Sequence, residues 1–132
     1  EKNSAALSAI SENVKRFARS NVTIVNALAP DGLTELPAPD AVFVGGSGGK
    51  MAEILGIVCR RLKSGGRIVI NAATVETLSS SVAGLKANGF DVEAVLVNVA
   101  RSKEILDLTR FEALNPVFVV TGWRGGKETN AR

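Results

Sequence analysis

The sequence predicts an α/β fold with a mostly parallel sheet and an antiparallel pair of strands at one edge. Three observations lead there. Apolar runs short enough for strands alternate with helical patterns of about 13 to 16 residues, and strands joined through helices make right-handed crossovers in a parallel sheet. The runs "AVFV" (41–44) and "RIVINA" (67–72) are nearly continuous in apolar side chains, as burial on both faces demands. The last two runs, "FDVEAVLVNVA" (90–100) and "NPVFVVTGW" (115–123), have no good helix between them and are expected to pair antiparallel.

Leu7, Ile10, Val14 and Phe17 share one face of a helix expected from about Asn3 to Arg19. "NVTIV" (21–25) is a β-branched run and an expected strand, and "LTELPAPD" (33–40), with Pro37 and Pro39, is a loop leading into "AVFV". Met51, Ile54, Leu55, Val58 and Leu62 make a second helical stripe, expected to stop at "KSGG" (63–66) with Gly65 or Gly66 as a left-handed cap. Met51 and Cys59 are read as core or its margin, and Trp123 as packing at an edge or subunit contact. Val75, Leu78, Val82 and Leu85 mark a third helix ending near Asn88-Gly89. A linker of mixed composition joins the two closing strands. One domain is expected over 1–124, with a mobile tail over 125–132.

Composition excludes several chemistries. The 132 residues contain no histidine and a single cysteine, Cys59, which removes the usual zinc sites, histidine-based triads and an intrachain disulfide. A net charge of +3 favours anionic ligands only mildly. No apolar run approaches the roughly 20 residues of a membrane span, and the opening has no signal-peptide pattern, so a cytoplasmic location without membrane contact is expected. The chain opens at Glu1 without an initiator Met, and a piece of a longer protein is expected.

"GGSGG" (45–49) follows "AVFV" and opens into a helix, and in open α/β sheets ligands bind beyond the carboxyl ends of the strands. It is not a nucleotide P-loop: Gly49-Lys50 is present, but Val44 and Met51 stand where that motif needs Gly and Ser or Thr. Met51 also stands where the dinucleotide fingerprint needs its third glycine. A tight turn chosen for sterics is one reading of the glycines. Close approach of a ligand to backbone is the other, since four glycines around one serine exceed what a turn needs.

"LKSGGRIVINA" (62–72) resembles the "L-K-P-G-G" passage of Rossmann-like S-adenosylmethionine-dependent methyltransferases, with Ser64 in place of the proline. Together with "PDAVFVGGSGG", "NGFDVEAVLVNVAR" and "NPVFVVTG", it makes residues 1 to 122 resemble the methyltransferase domain of the precorrin-6Y C5,15-methyltransferase (decarboxylating) family of cobalamin biosynthesis. The resemblance implies that the first strand and its glycine-rich cofactor turn precede this chain. Glu1 then matches the acidic residue that accepts hydrogen bonds from the ribose of S-adenosylmethionine. Asn26, Ala27 and Leu28 match the segment along the adenine, although Leu28 stands where many such enzymes have an aspartate. The resemblance also implies a tetrapyrrole substrate, no nucleic acid, and a homotetramer.

On that frame Gly45 and Gly46 are expected at the cofactor, and Ser47, Gly48 and Gly49 at the substrate. Ser47, the loop's only hydroxyl, is the candidate catalytic or orienting group; it is otherwise a plain turn residue. Asn71 and Asn98 are polar residues in apolar strands, aimed at substrate or satisfying neighbouring backbone. Arg101, with Lys103 and Arg110, is expected to meet substrate carboxylates where the strand 90–100 runs out, or else to face water. Glu76 reads as a complement to a helix dipole or as a site residue. C-methylation of a corrin precursor coupled to acetate decarboxylation is the expected activity; a methyltransferase acting on RNA or protein, and a noncatalytic binding domain, are the alternatives.

Overall fold

The computed structural model describes residues 1–17 and 19–125, and the chain divides into the units Glu1–Pro37 and Ala38–Arg132. Of the expected tail over 125–132, all but Gly125 lies outside the described residues.

In the first unit, α1 spans Ser4–Arg16. Asn3 caps it by accepting a hydrogen bond from the Ala6 amide on Oδ1 at 3.0 Å, and Lys15 and Arg16 complement the negative end of the dipole. The helix stops three residues before the expected Arg19, with Phe17 as its C-cap. Leu7, Ile10 and Val14 are half-buried on the expected face, while Phe17 is 61% exposed. The expected strand at 21–25 is a correction: the segment joins no sheet among the described residues. β-branching favours extended backbone, but a strand also needs a partner ladder. Among the described residues, this segment and its flank are tied instead by Glu1 N donating to Val25 O, and by Ala27 N donating to both Glu1 O and Val25 O.

The second unit is built on a four-stranded mixed sheet. β1 (Ala41–Val44) lies parallel to β2 (Arg67–Ala72), the two joined through α2 (Met51–Arg61). α3 (Val75–Ala87) leads to β3 (Asp91–Val97). A hairpin of β4 (Ala100–Ile105) and β5 (Leu108–Ala113) intervenes before β6 (Val117–Trp123). The sheet order is β1-β2-β6-β3, and β6 is antiparallel to both neighbours, so β1, β2 and β3 all run the same way. The expected antiparallel pairing of the last two sheet strands is present. Only β3 is at the edge, however; β6 is interior, with Val120 fully buried opposite Ile70 and Ala94.

The linker expected between these strands is the hairpin β4–β5, a second correction. Its turn, Leu106-Asp107, lacks the Asn-Gly or Gly that usually marks a two-residue connection, and Leu106 itself takes the left-handed conformation at φ 53°. The apolar alternation that marks a strand is also missing, because every residue of β4 and β5 is exposed.

The core is assembled where α2 and α3 meet the sheet. Leu55, Cys59, Ile68, Ile70, Leu85 and Val120 are all at most 1% exposed. Absent side chains set the spacing: a Cβ on Gly84 would stand 2.7 Å from Leu55 Cδ1, and one on Gly122 would stand 2.9 Å from Leu85 Cδ2. α2 ends differently from expectation. Leu62 turns extended at φ −62° and ψ 129°, so no glycine caps the helix; Gly65, at φ 75°, instead shapes the turn that feeds β2. Gly66 follows in a crowded place, where a Cβ would lie 2.7 Å from the Asp40 carbonyl oxygen. α3 is bounded as expected: Thr74 Oγ1 accepts from the Thr77 amide at 3.1 Å, and the chain leaves through Asn88 and a left-handed Gly89. Beyond β6, Arg124 lies 4.4 Å from the centre of the Phe90 ring and donates to the Asn88 carbonyl at 3.1 Å.

Three substitutions test this packing and its caps. Gly66→Ala should cost about 1–3 kcal/mol, because backbone opposes the new methyl. Gly84→Ala should cost less, because only the terminal methyl of the buried Leu55 opposes it and alanine gains about 1 kcal/mol of helix propensity. Urea denaturation of both variants checks the order, and equal losses would contradict it. Thr74→Ala, which removes the α3 cap, should cost about 0.5–2 kcal/mol by the same measurement.

Candidate ligand site at the carboxyl end of the sheet

β1 delivers the chain to the carboxyl end of the sheet, where Val44 is still buried and residues 45–50 turn into α2. The Lys50 amide donates to the Ser47 carbonyl at 2.9 Å, closing the turn. Gly48 and Gly49 sit at φ 56° and 85°, so the turn itself requires glycine at those two places. Neither Gly45 nor Gly46 has a positive φ. A Cβ on Gly45 would make an ordinary 3.4 Å contact with Phe43, and one on Gly46 would meet nothing within 4 Å. Turn sterics therefore explain two of the four glycines and leave Gly46 without an internal reason. The Ser47 side chain is half-buried and makes no hydrogen bond among the described residues.

The register pairs Val44 with Ile70, which sets Gly45 abreast of Asn71 at the end of β2. Asn71 is half-buried, and its side chain too makes no hydrogen bond among the described residues. Asn98 is not within the strand, as expected, but one residue past the end of β3, exposed at this same end of the sheet. Sequence alone could not place that boundary, because "VLVNVA" stays apolar across it.

Arg101 is likewise displaced from expectation: it lies inside β4, directly opposite Glu112, instead of at the end of the long strand. Glu112 pairs with other cations, with Lys103 Nζ at 3.3 Å and Arg110 Nη2 at 3.5 Å. Lys103 and Arg110 are themselves opposite one another in the register, a like-charge pair that Glu112 holds in place. Arg101 makes no ion pair among the described residues, so this face keeps an excess of positive charge.

The first unit gathers the remaining candidates. Glu1 lies beside the segment 25–27: its backbone nitrogen donates to Val25 O at 3.2 Å, and the Ala27 amide donates to its carbonyl at 3.2 Å. Its Oε1 accepts from the amides of Asn3 at 2.7 Å and Lys2 at 2.9 Å. These backbone donors lower its pKa and keep the exposed carboxylate ionised. Oε2 remains an unengaged acceptor among the described residues. Ala27 is half-buried, Asn26 is exposed, and Leu28 is 40% exposed, giving an apolar surface next to an anion. Glu1, Asn26, Ala27 and Leu28 thus come together in one unit, and Gly45 to Gly49, Asn71 and Asn98 at one end of the sheet in the other.

Burial pushes the Cys59 thiol up and withholds it from nucleophilic work. Glu76 is exposed in the first turn of α3, as a dipole complement would be. Among the described residues, no group of three or more His, Cys, Asp or Glu is placed to hold a metal, and no helix is long and apolar enough to cross a membrane.

This arrangement has known counterparts. A solved structure of precorrin-6y C5,15-methyltransferase from Geobacter metallireducens has a TM-score of 0.87 and 48% identity, covering 95% of this chain and 64% of that one. A probable cobalt-precorrin-6B C(15)-methyltransferase (decarboxylating) of Methanothermobacter thermautotrophicus is 36% identical over 121 residues, 91% of this chain and 63% of the relative. An S-adenosylmethionine-dependent O-methyltransferase of Thermotoga maritima, at 16% identity and a TM-score of 0.67, covers 97% of this chain and 49% of its own and shares the fold alone. The fold is the Rossmann-like one of S-adenosylmethionine-dependent methyltransferases. The chain spans a little under two thirds of the length of the precorrin relatives. The model of the precorrin methyltransferase domain matches residues 1–127, and the chain belongs to that family.

Proposed function

We propose that the protein to which this chain belongs methylates a carbon of a corrin-ring precursor with S-adenosylmethionine and removes carbon dioxide from an acetate side chain, a step of cobalamin biosynthesis. Gly46 supports the reading most directly: a glycine with no conformational or packing reason among the described residues fits a place where a ligand comes against the backbone.

The residues of the first unit fit the ribose and adenine parts of the cofactor. The free Glu1 Oε2 suits vicinal hydroxyls, and Ala27 and Leu28 offer apolar contact to a base with Asn26 at its edge. When bound, S-adenosylmethionine supplies a methyl group on a positively charged sulfur. Displacement at that methyl is in-line and needs positioning more than acid-base help. Gly45 and Gly46 admit close approach, and Ser47, Gly48 and Gly49 offer a hydroxyl and backbone donors to the macrocycle. Asn71 and Asn98 add amides that are not committed elsewhere, and Arg101 an unpaired guanidinium for a substrate carboxylate. The single domain expected over 1–124 is part of this reading, as is a cytoplasmic location without nucleic acid. A homotetramer completes it, supported by a hairpin whose every residue is exposed, with Leu106 95% and Phe111 77% accessible.

Gly46→Ala in the whole protein should leave folding intact or raise stability by about 0.4–1 kcal/mol, since the methyl meets no protein atom and the unfolded chain loses freedom. Cofactor or macrocycle affinity should fall at least about tenfold. Calorimetric titration with a thermal melt reads both, and unchanged affinities would make the loop a plain turn. Arg101→Ala should weaken macrocycle binding by about 1.5–3 kcal/mol and leave the cofactor's unchanged. Equal loss for both ligands would point to damaged folding, and no loss would return Arg101 to the solvent.

A further inference from the structure

The sheet of the second unit is fully buried on one face only. Along β2 the side chains alternate: Ile68, Ile70 and Ala72 are buried, while Val69 and Asn71 between them are half-buried. β6 repeats the pattern, with Val120 and Gly122 buried and Val119, Thr121 and Trp123 half-buried. Leu85 of α3 lies against Gly122 on the buried face, and the contact of Leu55 with Gly84 sets α2 beside α3. The register places Phe43, Val69, Val119 and Val95 together on the opposite face. There Phe43 is 65% exposed and Val95 50%. β2 and β6 each have a neighbouring strand on both edges, so what their second face lacks is a layer above it.

Parallel strands joined through helices form sheets with both faces covered, and apolar residues at successive positions are what such cover requires. β1 and β2 have that sequence, yet Phe43 and Val69 stop short of burial. The relatives supply the material for a second layer. The match covers 64% of the Geobacter structure and 63% of the Methanothermobacter relative, which leaves roughly a third of their length without a counterpart in this chain. The open face is apolar through its middle and carries Arg67, Asp91 and Glu93 toward the amino end of the strands, a layout that suits a helix with one apolar stripe and polar flanks. We infer that this face is the docking surface for one or more amphipathic helices from the part of the parent protein outside these residues. Asn71 stands in the same cross-strand row as Val119 and Val95, and Gly45 lies abreast of it, so the docked layer also walls one side of the candidate site. The inference rests on membership of the family and not on the proposed reaction.

The test uses the whole protein with the photo-crosslinking residue p-benzoylphenylalanine in place of Phe43, prepared as a mixture of isotope-labelled and unlabelled copies. Illumination and mass spectrometry should find residue 43 joined to a peptide of the same copy that lies outside residues 1–132, with apolar residues spaced three and four apart. A crosslink that mixes labelled and unlabelled peptides makes a second copy the occupant and overturns the inference. A crosslink within residues 1–132, or reaction with solvent alone, overturns it as well. Phe43→Ala gives a second readout that does not depend on fitting the larger side chain. It should lower the melting temperature of the whole protein by about 6–20 °C, as loss of a buried aromatic ring does. Val75→Ala, at a position 73% exposed on α3, should lower it by less than about 2 °C. A Phe43→Ala variant as stable as the Val75→Ala one leaves the face open to water and removes the inference, while the family and the proposed reaction stand.

Discussion

The second unit depends on how closely two helices can approach one sheet. Leu55 of α2 lies against Gly84 of α3, and Leu85 of α3 lies against Gly122 of β6, so each leucine occupies the space of a missing side chain. Those contacts bring α3 onto both α2 and β6, and with them the fully buried layer of Ile68, Ile70 and Val120. Apolar groups removed from water in this way stabilise by about 1.5–3 kcal/mol each, against the entropy of ordering the chain. The carboxyl end of the sheet inherits its rigidity from this layer. Val44 and Ile70 pair at its upper margin, and the residues directly beyond them, Gly45 and Asn71, are the first of the candidate set.

The same packing explains what was readable beforehand. α2, α3, β1 and β2 obey simple periodicities because each buries one stripe or both faces in this core. Their spans follow from Met51, Ile54, Leu55 and Val58, or from "RIVINA", with little ambiguity. The parts that escaped reading lie where burial does not dictate side-chain type. β4 and β5 alternate charged, polar and apolar residues with no buried face. The run 21–25 has strand-forming residues without a strand to pair with, and "VLVNVA" hides the end of β3. Ridge positions inside the core announce themselves; a ladder exposed on all sides does not.

The candidate site was legible in proportion to backbone oddity. Four glycines around Ser47 were visible at once, yet only the dihedral angles separate Gly48 and Gly49, which the turn needs, from Gly46, which it does not. Arg101 was identified by its charge but assigned the wrong element, because a displaced strand boundary moved it into a hairpin.

The antiparallel insertion of β6 has a consequence for how such a sheet can vary in sequence. β3 ends and β6 begins at the same end of the sheet, paired through Val97 and Val117, and a two-residue turn would suffice to join antiparallel neighbours. The chain spends residues 98–116 there instead, folded into a hairpin that has its own ladder. Its length, charge and tip can therefore vary while the register of the four-stranded sheet stays fixed. Insertions, deletions and charge changes at this point leave the buried layer untouched, so the core need not be re-optimised each time.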